Sequence, residues 1–204
     1  MSYPQIHAQG DWDEYYRATA GRNPSAWFIR AVEHIDGNHG NGRLVVDLGC
    51  GNGVETKAFL DRGWRVFATD REPSAIEFTA SRVTADELER LTTAVSSFAD
   101  IEPPACDVVF AQLSLPFAPA EVFPGLWQGI RDAVNPGGHF VGQFLGPNDD
   151  WAGGECLTHS IDDIATLFEG WDIVDLAEEE ADGVAGAKRE PKYWHIISVI
   201  ARKP

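Results

Sequence analysis

Residues 44–53 read LVVDLGCGNG, a short apolar run that contains Asp47 and ends in glycines at alternate positions. An apolar run of this length without a helical period is typical of a strand in the middle of a parallel sheet, buried on both faces. The glycines let the backbone turn tightly and approach a ligand, because no Cβ stands in the way. Residues 54–60 are predicted to form a helix whose free N–H groups point back toward that ligand.

The spacing of the glycines separates two classes of cofactor site. A dinucleotide-binding turn, G-x-G-x-x-G, would have its third glycine at position 54, but that residue is Val54 and the third glycine is Gly53. A phosphate-binding loop is excluded because no Gly-Lys-Ser/Thr follows. The observed spacing, together with Asp47, resembles motif I of the class I S-adenosylmethionine-dependent methyltransferases. The alternative without function is a glycine-rich turn that holds no ligand.

Strands and helices alternate after this turn, which is typical of a parallel sheet covered by helices. The last two strands come without a helix between them, so we expect them to form an antiparallel hairpin at the sheet edge. The fold predicted is α/β and Rossmann-like, a doubly wound seven-stranded sheet, mostly parallel with an antiparallel last strand. The predicted strands after the first lie at 65–70, 91–97, 107–112, 139–145, 173–176 and 194–201, and the predicted later helices begin at 73 and fill 121–134 and 160–168.

Size and composition limit the classes of partner. The 204 residues predict a single domain, 1–204, which the resemblance implies is a methyltransferase domain with 1–40 as an N-terminal lid and a helix that ends at Gly37 and Asn38. A formal net charge of −16 repels nucleic acids and anionic membrane surfaces, whereas the positive charge of S-adenosylmethionine is not opposed. Three separated cysteines, and no apolar signal segment, favour reduced thiols in a cytoplasmic protein without a zinc site. We expect no metal site, and the sequence contains no indication of the oligomeric state.

The carboxyl ends of parallel strands bind the ligand in open α/β sheets, which selects the candidate cofactor residues. Asp70 ends the second strand about twenty residues beyond the glycine turn, where a carboxylate can accept hydrogen bonds from ribose hydroxyls; it could otherwise cap the next helix. The buried Asp47 needs partners, which the N–H groups of the glycine loop or the cofactor's ammonium group would supply. The predicted cofactor-binding residues are Asp47, Gly49, Cys50, Gly51, Asn52, Gly53, Asp70, Arg71, Ala99, Asp100, Gln112 and Leu113.

The predicted acceptor site lies on the same rim. The connection 178–193 between the last two strands should cross the ligand edge, and the segment 146–159 after the fifth strand should join it. The N-terminal aromatic residues could fold over as a lid, or could pack on the flank of the sheet. The predicted substrate-binding residues are Tyr15, Tyr16, Trp151, Lys188, Arg189 and Trp194.

Methyl transfer is an in-line displacement on an activated sulfonium, so a protein chiefly supplies alignment and exclusion of water. A base is needed only where the acceptor is a protonated hydroxyl or amine. His195 is the predicted catalytic residue because the ordinary pKa of histidine lies near neutrality. A histidine at the start of a strand could equally be a hydrogen-bonding structural residue.

Beyond motif I, the chain from about residue 11 resembles small class I methyltransferases of the tellurite-resistance and thiopurine methyltransferase-like group. The resemblance rests on segments 136–138, 168–172 and 200–203. It implies S-adenosyl-L-methionine as cofactor, with Asp100 near the adenine amino group and the backbone near Gln112 at the methionine portion; alone, Asp100 would be a turn residue.

The resemblance says less about the methyl acceptor than about the cofactor, since the basic residues of the last hairpin are placed differently from those of the tellurite-type enzymes. We therefore predict methyl transfer to a small molecule, with tellurite, selenite or a thiol as variants. The alternatives are a dinucleotide-dependent oxidoreductase and a cofactor-binding protein without catalysis.

Overall fold

The computed structural model describes residues 9–35, 39–154 and 156–204, with side chains from residue 12 onward. Residues 1–8 of the predicted lid, and the predicted helix stop at Gly37 and Asn38, lie outside the described residues. None of the described helices is long and apolar enough to cross a membrane. The strands are β1 (Leu44–Leu48), β2 (Arg65–Asp70), β3 (Leu91–Val95), β4 (Cys106–Ala111), β5 (Val134–Leu145), β6 (Asp172–Ala185) and β7 (Glu190–Arg202). The helices are α1 (Gln9–Ala18), α2 (Ala26–His34), α3 (Val54–Asp61), α4 (Pro73–Ser81), α5 (Ala85–Leu88), α6 (Phe123–Ala133) and α7 (Ile161–Leu167).

The seven strands form one sheet in the order β3-β2-β1-β4-β5-β7-β6. The first five strands pair in parallel, and β7 runs antiparallel to both of its neighbours, β5 and β6. The predicted fold class is confirmed. The chain moves outward from β1 to β3 and then returns to β4, so the strand order reverses between β1 and β4. A crevice at the carboxyl ends of strands opens at such a reversal, which places the glycine turn beside it.

Both faces of the sheet are buried at its central strands β1 and β4, which explains the unbroken apolar runs in the sequence. Val45 and Val108 point to one core and Val46 and Val109 to the other, because successive side chains of a strand alternate. Apolar residues of α2 and α3 fill the first core, and those of α6 and α7 fill the second. The layers hold β1 rigidly, and with β1 the glycine turn that follows it.

The last hairpin is longer than predicted. β6 and β7 pair continuously from Asp172↔Arg202 to Ala185↔Glu190, so the predicted connection 178–193 is wrong and the true connection is the four-residue turn 186–189. The acidic run in β6 suggested a loop, but β6 is an edge strand that needs no buried face, and charged edges oppose pairing with other chains. Residues 190–195 extend past the carboxyl end of β5, where Leu145 pairs with Ile196. The hairpin therefore overhangs the ligand edge.

Candidate active site

A cavity of about 480 Å³ lies at the carboxyl ends of β1, β2 and β4. The glycine turn forms one side of it, while α1 and the β6–β7 hairpin stand over it. Most of the residues predicted for the site line this cavity, and they come from both the cofactor and the acceptor sets. They are Tyr15, Tyr16, Asp47, Gly49, Cys50, Gly51, Asn52, Asp70, Arg71, Gln112, Leu113, Trp151, Lys188, Arg189 and Trp194.

Two of the loop glycines are required for different reasons. Gly51 lines the cavity with φ +54°, and a Cβ there would stand 3.4 Å from the Tyr16 ring, in the space between loop and ring. Gly53 is outside the lining; it combines φ +74° with close packing on Thr79, whose backbone and side chain a Cβ would overlap. The spacing that suggested a methyltransferase thus serves both an open cradle and the seating of the loop on α4.

Asp70 connects the glycine loop to the start of α4. Its Oδ2 accepts a hydrogen bond from the Gly51 N–H at 2.9 Å, and its Oδ1 accepts one from the Glu72 N–H at 3.0 Å. Burial raises the pKa of this carboxyl above its ordinary value, and the two N–H donors oppose the rise. Each oxygen has lone-pair capacity left for hydroxyl donors in the cavity. Both sequence interpretations, a ribose acceptor and a helix-start residue, are compatible with this position.

Asp47 lies at the floor of the cavity and is buried. The predicted partners were N–H groups of the glycine loop or the cofactor's ammonium group. The hydrogen bond that the structure shows comes from the Thr56 hydroxyl, which donates to Asp47 Oδ2 at 2.5 Å. Burial is the main cause that raises the pKa of Asp47 to about 7. Thr56 belongs to the first helical turn of α3, so this helix anchors Asp47.

Replacing Asp47 by asparagine should flatten the pH dependence of stability. The pKa of Asp47 is about 7 when folded against an ordinary 3.8, so between these values the folded chain holds a proton that the unfolded chain has released. The free energy of unfolding then falls as pH rises from 4 to 7. Urea unfolding without cofactor measures the free energy of unfolding at pH 5 and at pH 8. The decrease in this free energy from pH 5 to pH 8 should be smaller for Asp47→Asn than for the wild type. Equal losses in the two proteins would contradict the buried, protonated acid.

An ion pair that the sequence did not indicate lies beside this floor. Arg22 makes a two-pronged contact with the Glu55 carboxylate, at 2.6 and 2.5 Å, and the Ser25 N–H also donates to Glu55 at 3.1 Å. The Ser25 hydroxyl donates to Gln112 Oε1 at 2.9 Å, which fixes that side chain at the end of β4. Because Arg22 and Glu55 are 33 residues apart, no local pattern could have paired them.

Aromatic rings line one side of the cavity, and the sequence predicted only some of them. The rings of Trp12, Phe117, Trp151 and Trp194 follow one another with centroid distances of 5.4, 5.9 and 5.3 Å. Behind it, the Lys192 ammonium lies 4.4 Å from the Trp151 ring centroid and 4.0 Å from that of Trp194. Lys192 and its ion-pair partner Asp149 are both buried. Neither Phe117 nor Lys192 had a signal in the sequence, since both depend on tertiary packing.

His195 is the residue that the sequence predicted to be catalytic. It is buried and outside the lining of the cavity. The Asn148 N–H donates to His195 Nδ1 at 3.1 Å, so the neutral ring carries its proton on Nε2, which lies 2.8 Å from Glu178 Oε1. With both ring nitrogens occupied, His195 holds the base of the hairpin. The catalytic role of His195 stays a prediction, and the contacts of both ring nitrogens favour the alternative, a hydrogen-bonding structural residue.

The turn after β3 lines the cavity with other residues than those predicted. Ala99 and Asp100 are outside the lining of the cavity, and the exposed Asp100 accepts a hydrogen bond from the Ser97 hydroxyl at 2.6 Å. Ser96, Phe98 and Ile101 line the cavity there instead. The turn after β3 thus faces its apolar side chains inward, and Asp100 is the turn residue of the alternative interpretation.

Comparisons with known proteins agree with this architecture. Residues 45–138, from β1 into β5, match the family model described as a methyltransferase domain. A probable cobalt-precorrin-6B C(15)-methyltransferase (decarboxylating) from Methanothermobacter thermautotrophicus is 25% identical over 129 residues, which are 63% of this chain and 66% of that protein. The chain thus spans slightly less than two thirds of this curated relative. The family model and this relative are both described as methyltransferases, which is the class that the sequence predicted.

Solved structures show the same fold. TehB from Haemophilus influenzae superimposes with a TM-score of 0.75 at 16% identity, over 95% of this chain and 67% of that one. The 1,6-didemethyltoxoflavin-N1-methyltransferase from Burkholderia thailandensis, crystallised with its substrate and S-adenosylhomocysteine, gives a TM-score of 0.67 at 20% identity, over 100% and 91%. At these identities the likeness establishes the fold alone.

Proposed function

We propose that this chain transfers the methyl group of S-adenosylmethionine to a small-molecule acceptor held in the same cavity. The observation that carries the proposal is the shape of the site: one cavity of about 480 Å³ contains the glycine turn and Asp70 on one side and the aromatic rings on the other. That volume is typical of sites for small ligands. Because α1 and the hairpin stand over the strand ends, they cover the side from which a macromolecule would approach.

The residues of the glycine side fit the cofactor. The buried Thr69 hydroxyl lines the cavity and has no hydrogen-bond partner among the described residues, so it has capacity for a polar ligand atom. Asp70 offers acceptor lone pairs to ribose hydroxyls, and Phe98 and Ile101 offer apolar surface to a base. Gly51 leaves the cradle open where a side chain would fill it.

S-adenosylmethionine, when bound, supplies a methyl group that is already activated on a sulfonium. The residues of this chain then orient the acceptor and exclude water. Burial raises the pKa of both Tyr15 and Tyr16, so their hydroxyls stay protonated at neutral pH and can donate hydrogen bonds but not remove protons. No histidine is among the described residues that line the cavity. The site therefore favours an acceptor whose lone pair is available without a histidine base.

Charge and thiol chemistry support the remaining parts of the proposal. A net charge of −16 opposes nucleic acids as substrates. The three cysteines are buried and none of them is in a disulfide within the described ranges, which suits a reducing cytoplasm. The relatives named above include proteins described as methyltransferases of a cobalt-precorrin and of a toxoflavin precursor, which are small molecules. Tellurite, selenite and thiols are kept as variants of the acceptor.

Calorimetry and turnover test the proposal. S-adenosylmethionine and S-adenosylhomocysteine should bind with a 1:1 stoichiometry, and NAD should give no heat. Turnover is then measured with tritiated cofactor against thiols, phenols, heterocyclic amines, tellurite and selenite. Methylation of at least one of these supports the proposal. Binding of NAD alone, or cofactor binding with methylation of nucleic acid or protein only, would overturn it.

A further inference from the structure

Four aromatic rings from separate elements converge on one side of the cavity. We name them the aromatic wall: Trp12 of α1, Phe117 of the turn after β4, Trp151 after β5, and Trp194 of β7. Each neighbouring pair is in contact at a centroid distance below 6 Å, with steep angles between the planes of 87°, 59° and 65°. Rings set at such angles present both edges and faces to whatever lies against them, and these are the geometries that aromatic ligands prefer.

The aromatic wall also carries a hydrogen-bond donor that nothing in the described part of the chain uses. Trp12 Nε1 is buried and has no acceptor, whereas Trp194 Nε1 donates to the Val184 carbonyl at 3.3 Å. A buried N–H without a partner is unfavourable. Trp12 is also one of the residues that line the cavity.

The wall is held in place from behind before any ligand arrives. The Lys192 ammonium is sandwiched between Trp151 and Trp194, and Asp149 accepts hydrogen bonds from that ammonium and, at 2.9 Å, from the Trp151 N–H. Rigid aromatic surfaces bind with little loss of conformational entropy. The wall is therefore a preformed surface and not a set of mobile side chains.

Two cations of the hairpin turn complete this side of the cavity. Lys188 and Arg189 line it and are exposed, and neither has an ion pair within the described ranges. The other two cations of the lining, Arg22 and Arg71, are paired with carboxylates. Lys188 and Arg189 are thus the cations of the described lining that no carboxylate neutralises. They favour a negatively charged group on the molecule that enters.

We infer that the methyl acceptor is a flat aromatic or heteroaromatic molecule that carries an anionic group, such as a carboxylate. The inference rests on the proposed function and specifies the acceptor class of the same site. The ring packs on the aromatic wall, and the anion faces Lys188 and Arg189.

A non-reactive ligand series tests the class without knowledge of the true acceptor. The protein is saturated with S-adenosylhomocysteine, and binding of naphthalene-2-carboxylate is followed by calorimetry. Its saturated counterpart, decahydronaphthalene-2-carboxylate, should bind at least about tenfold more weakly because it cannot make the ring contacts. The neutral naphthalene-2-carboxamide should bind about fivefold more weakly than the acid, because exposed charges contribute modestly. Equal binding of the saturated acid would overturn the aromatic part, and equal binding of the amide the anionic part.

Variants assign the binding to these residues. Trp194→Leu should weaken the binding of naphthalene-2-carboxylate about tenfold. Trp12→Phe, which keeps a ring without the N–H, should weaken the binding of this acid less. Lys188→Met and Arg189→Met should each reduce the preference for acid over amide, whereas Arg65→Met, a matched loss of charge on an exposed residue at the start of β2, should not. Binding of S-adenosylhomocysteine shows that each variant is folded. If that compound binds the wild type and none of the naphthalene ligands does, this inference fails while the proposed function stands; if it does not bind, the proposed function itself fails.

Discussion

Replacing Asp70 by asparagine is expected to weaken binding of S-adenosylhomocysteine by about 100-fold. Two hydrogen bonds from ribose hydroxyls to a carboxylate are each worth about 1.5–3 kcal/mol, so their weakening amounts to about 3 kcal/mol. The substitution also has a local effect, since Asp70 accepts from the N–H groups of Gly51 and Glu72. Asparagine has one oxygen, so its NH₂ must face one of these donors. Calorimetric titration of the purified variant measures the loss.

The matched control is Asp100→Asn, which makes the same chemical change at the other predicted acid. Asp100 is exposed, binds the Ser97 hydroxyl and is outside the cavity lining, so we expect its affinity for S-adenosylhomocysteine to change less than about twofold. Thermal unfolding without the cofactor shows whether each variant is folded. Similar losses at both positions would mean that the carboxylates act through net charge, and an unchanged Asp70→Asn affinity would remove Asp70 from the cofactor site.

The parts of the fold that the sequence predicted well are those set by local pattern and burial. The run at residues 44–48 reads as a buried strand because both of its faces are covered, and the alternation of apolar runs with amphipathic segments then implies a parallel sheet. The last hairpin was predicted too short because one of its strands is not covered in this way. β6 is an edge strand with one partner, so it carries the acidic run that elsewhere marks a loop.

Site residues could be predicted where they follow a strand directly. Asp70 and Gln112 lie at the ends of β2 and β4, and the rule for open sheets selects such positions without further knowledge. The position of His195 outside the cavity lining could not be predicted, because it depends on where the hairpin begins. Once the strand starts at Glu190, the same alternation that exposes Trp194 to the cavity turns His195 to the other side.

Contacts between distant segments could not be predicted from one sequence. Lys192 and Asp149 are 43 residues apart, and their pairing requires the loop after β5 to meet the overhanging part of β7. The prediction that basic residues of the last hairpin serve the substrate overlooked Lys192, which faces away from the mouth of the cavity. Its structural role follows only from the tryptophan rings on either side of it, the buried Trp151 and the half-buried Trp194.

Replacing Lys192 by methionine is expected to lower the free energy of unfolding by about 3–5 kcal/mol, the usual effect of removing one partner of a buried ion pair. The side chains of Lys192 and Asp149 are 3% and 0% exposed, so solvent cannot compensate the remaining carboxylate. The methionine keeps the apolar length between Trp151 and Trp194 and loses the charge. Urea denaturation followed by tryptophan fluorescence measures the change, and circular dichroism confirms the transition because the variant alters two tryptophan environments.

Two further variants separate burial from charge. Lys57→Met removes an ammonium that is 28% exposed and pairs with the exposed Asp61 and the buried Glu87. Glu87 keeps its hydrogen bonds from Thr84, so the loss of stability should be clearly smaller than for Lys192→Met. The double variant Lys192→Met/Asp149→Asn should recover part of the lost stability, because no charge is left buried. The recovery is incomplete, since Asp149 also accepts from the N–H groups of Trp151 and His195, and asparagine offers one oxygen to both. A Lys192→Met variant no less stable than Lys57→Met would show that the tryptophan pair is held by packing alone, and the preformed aromatic wall would then have no electrostatic support.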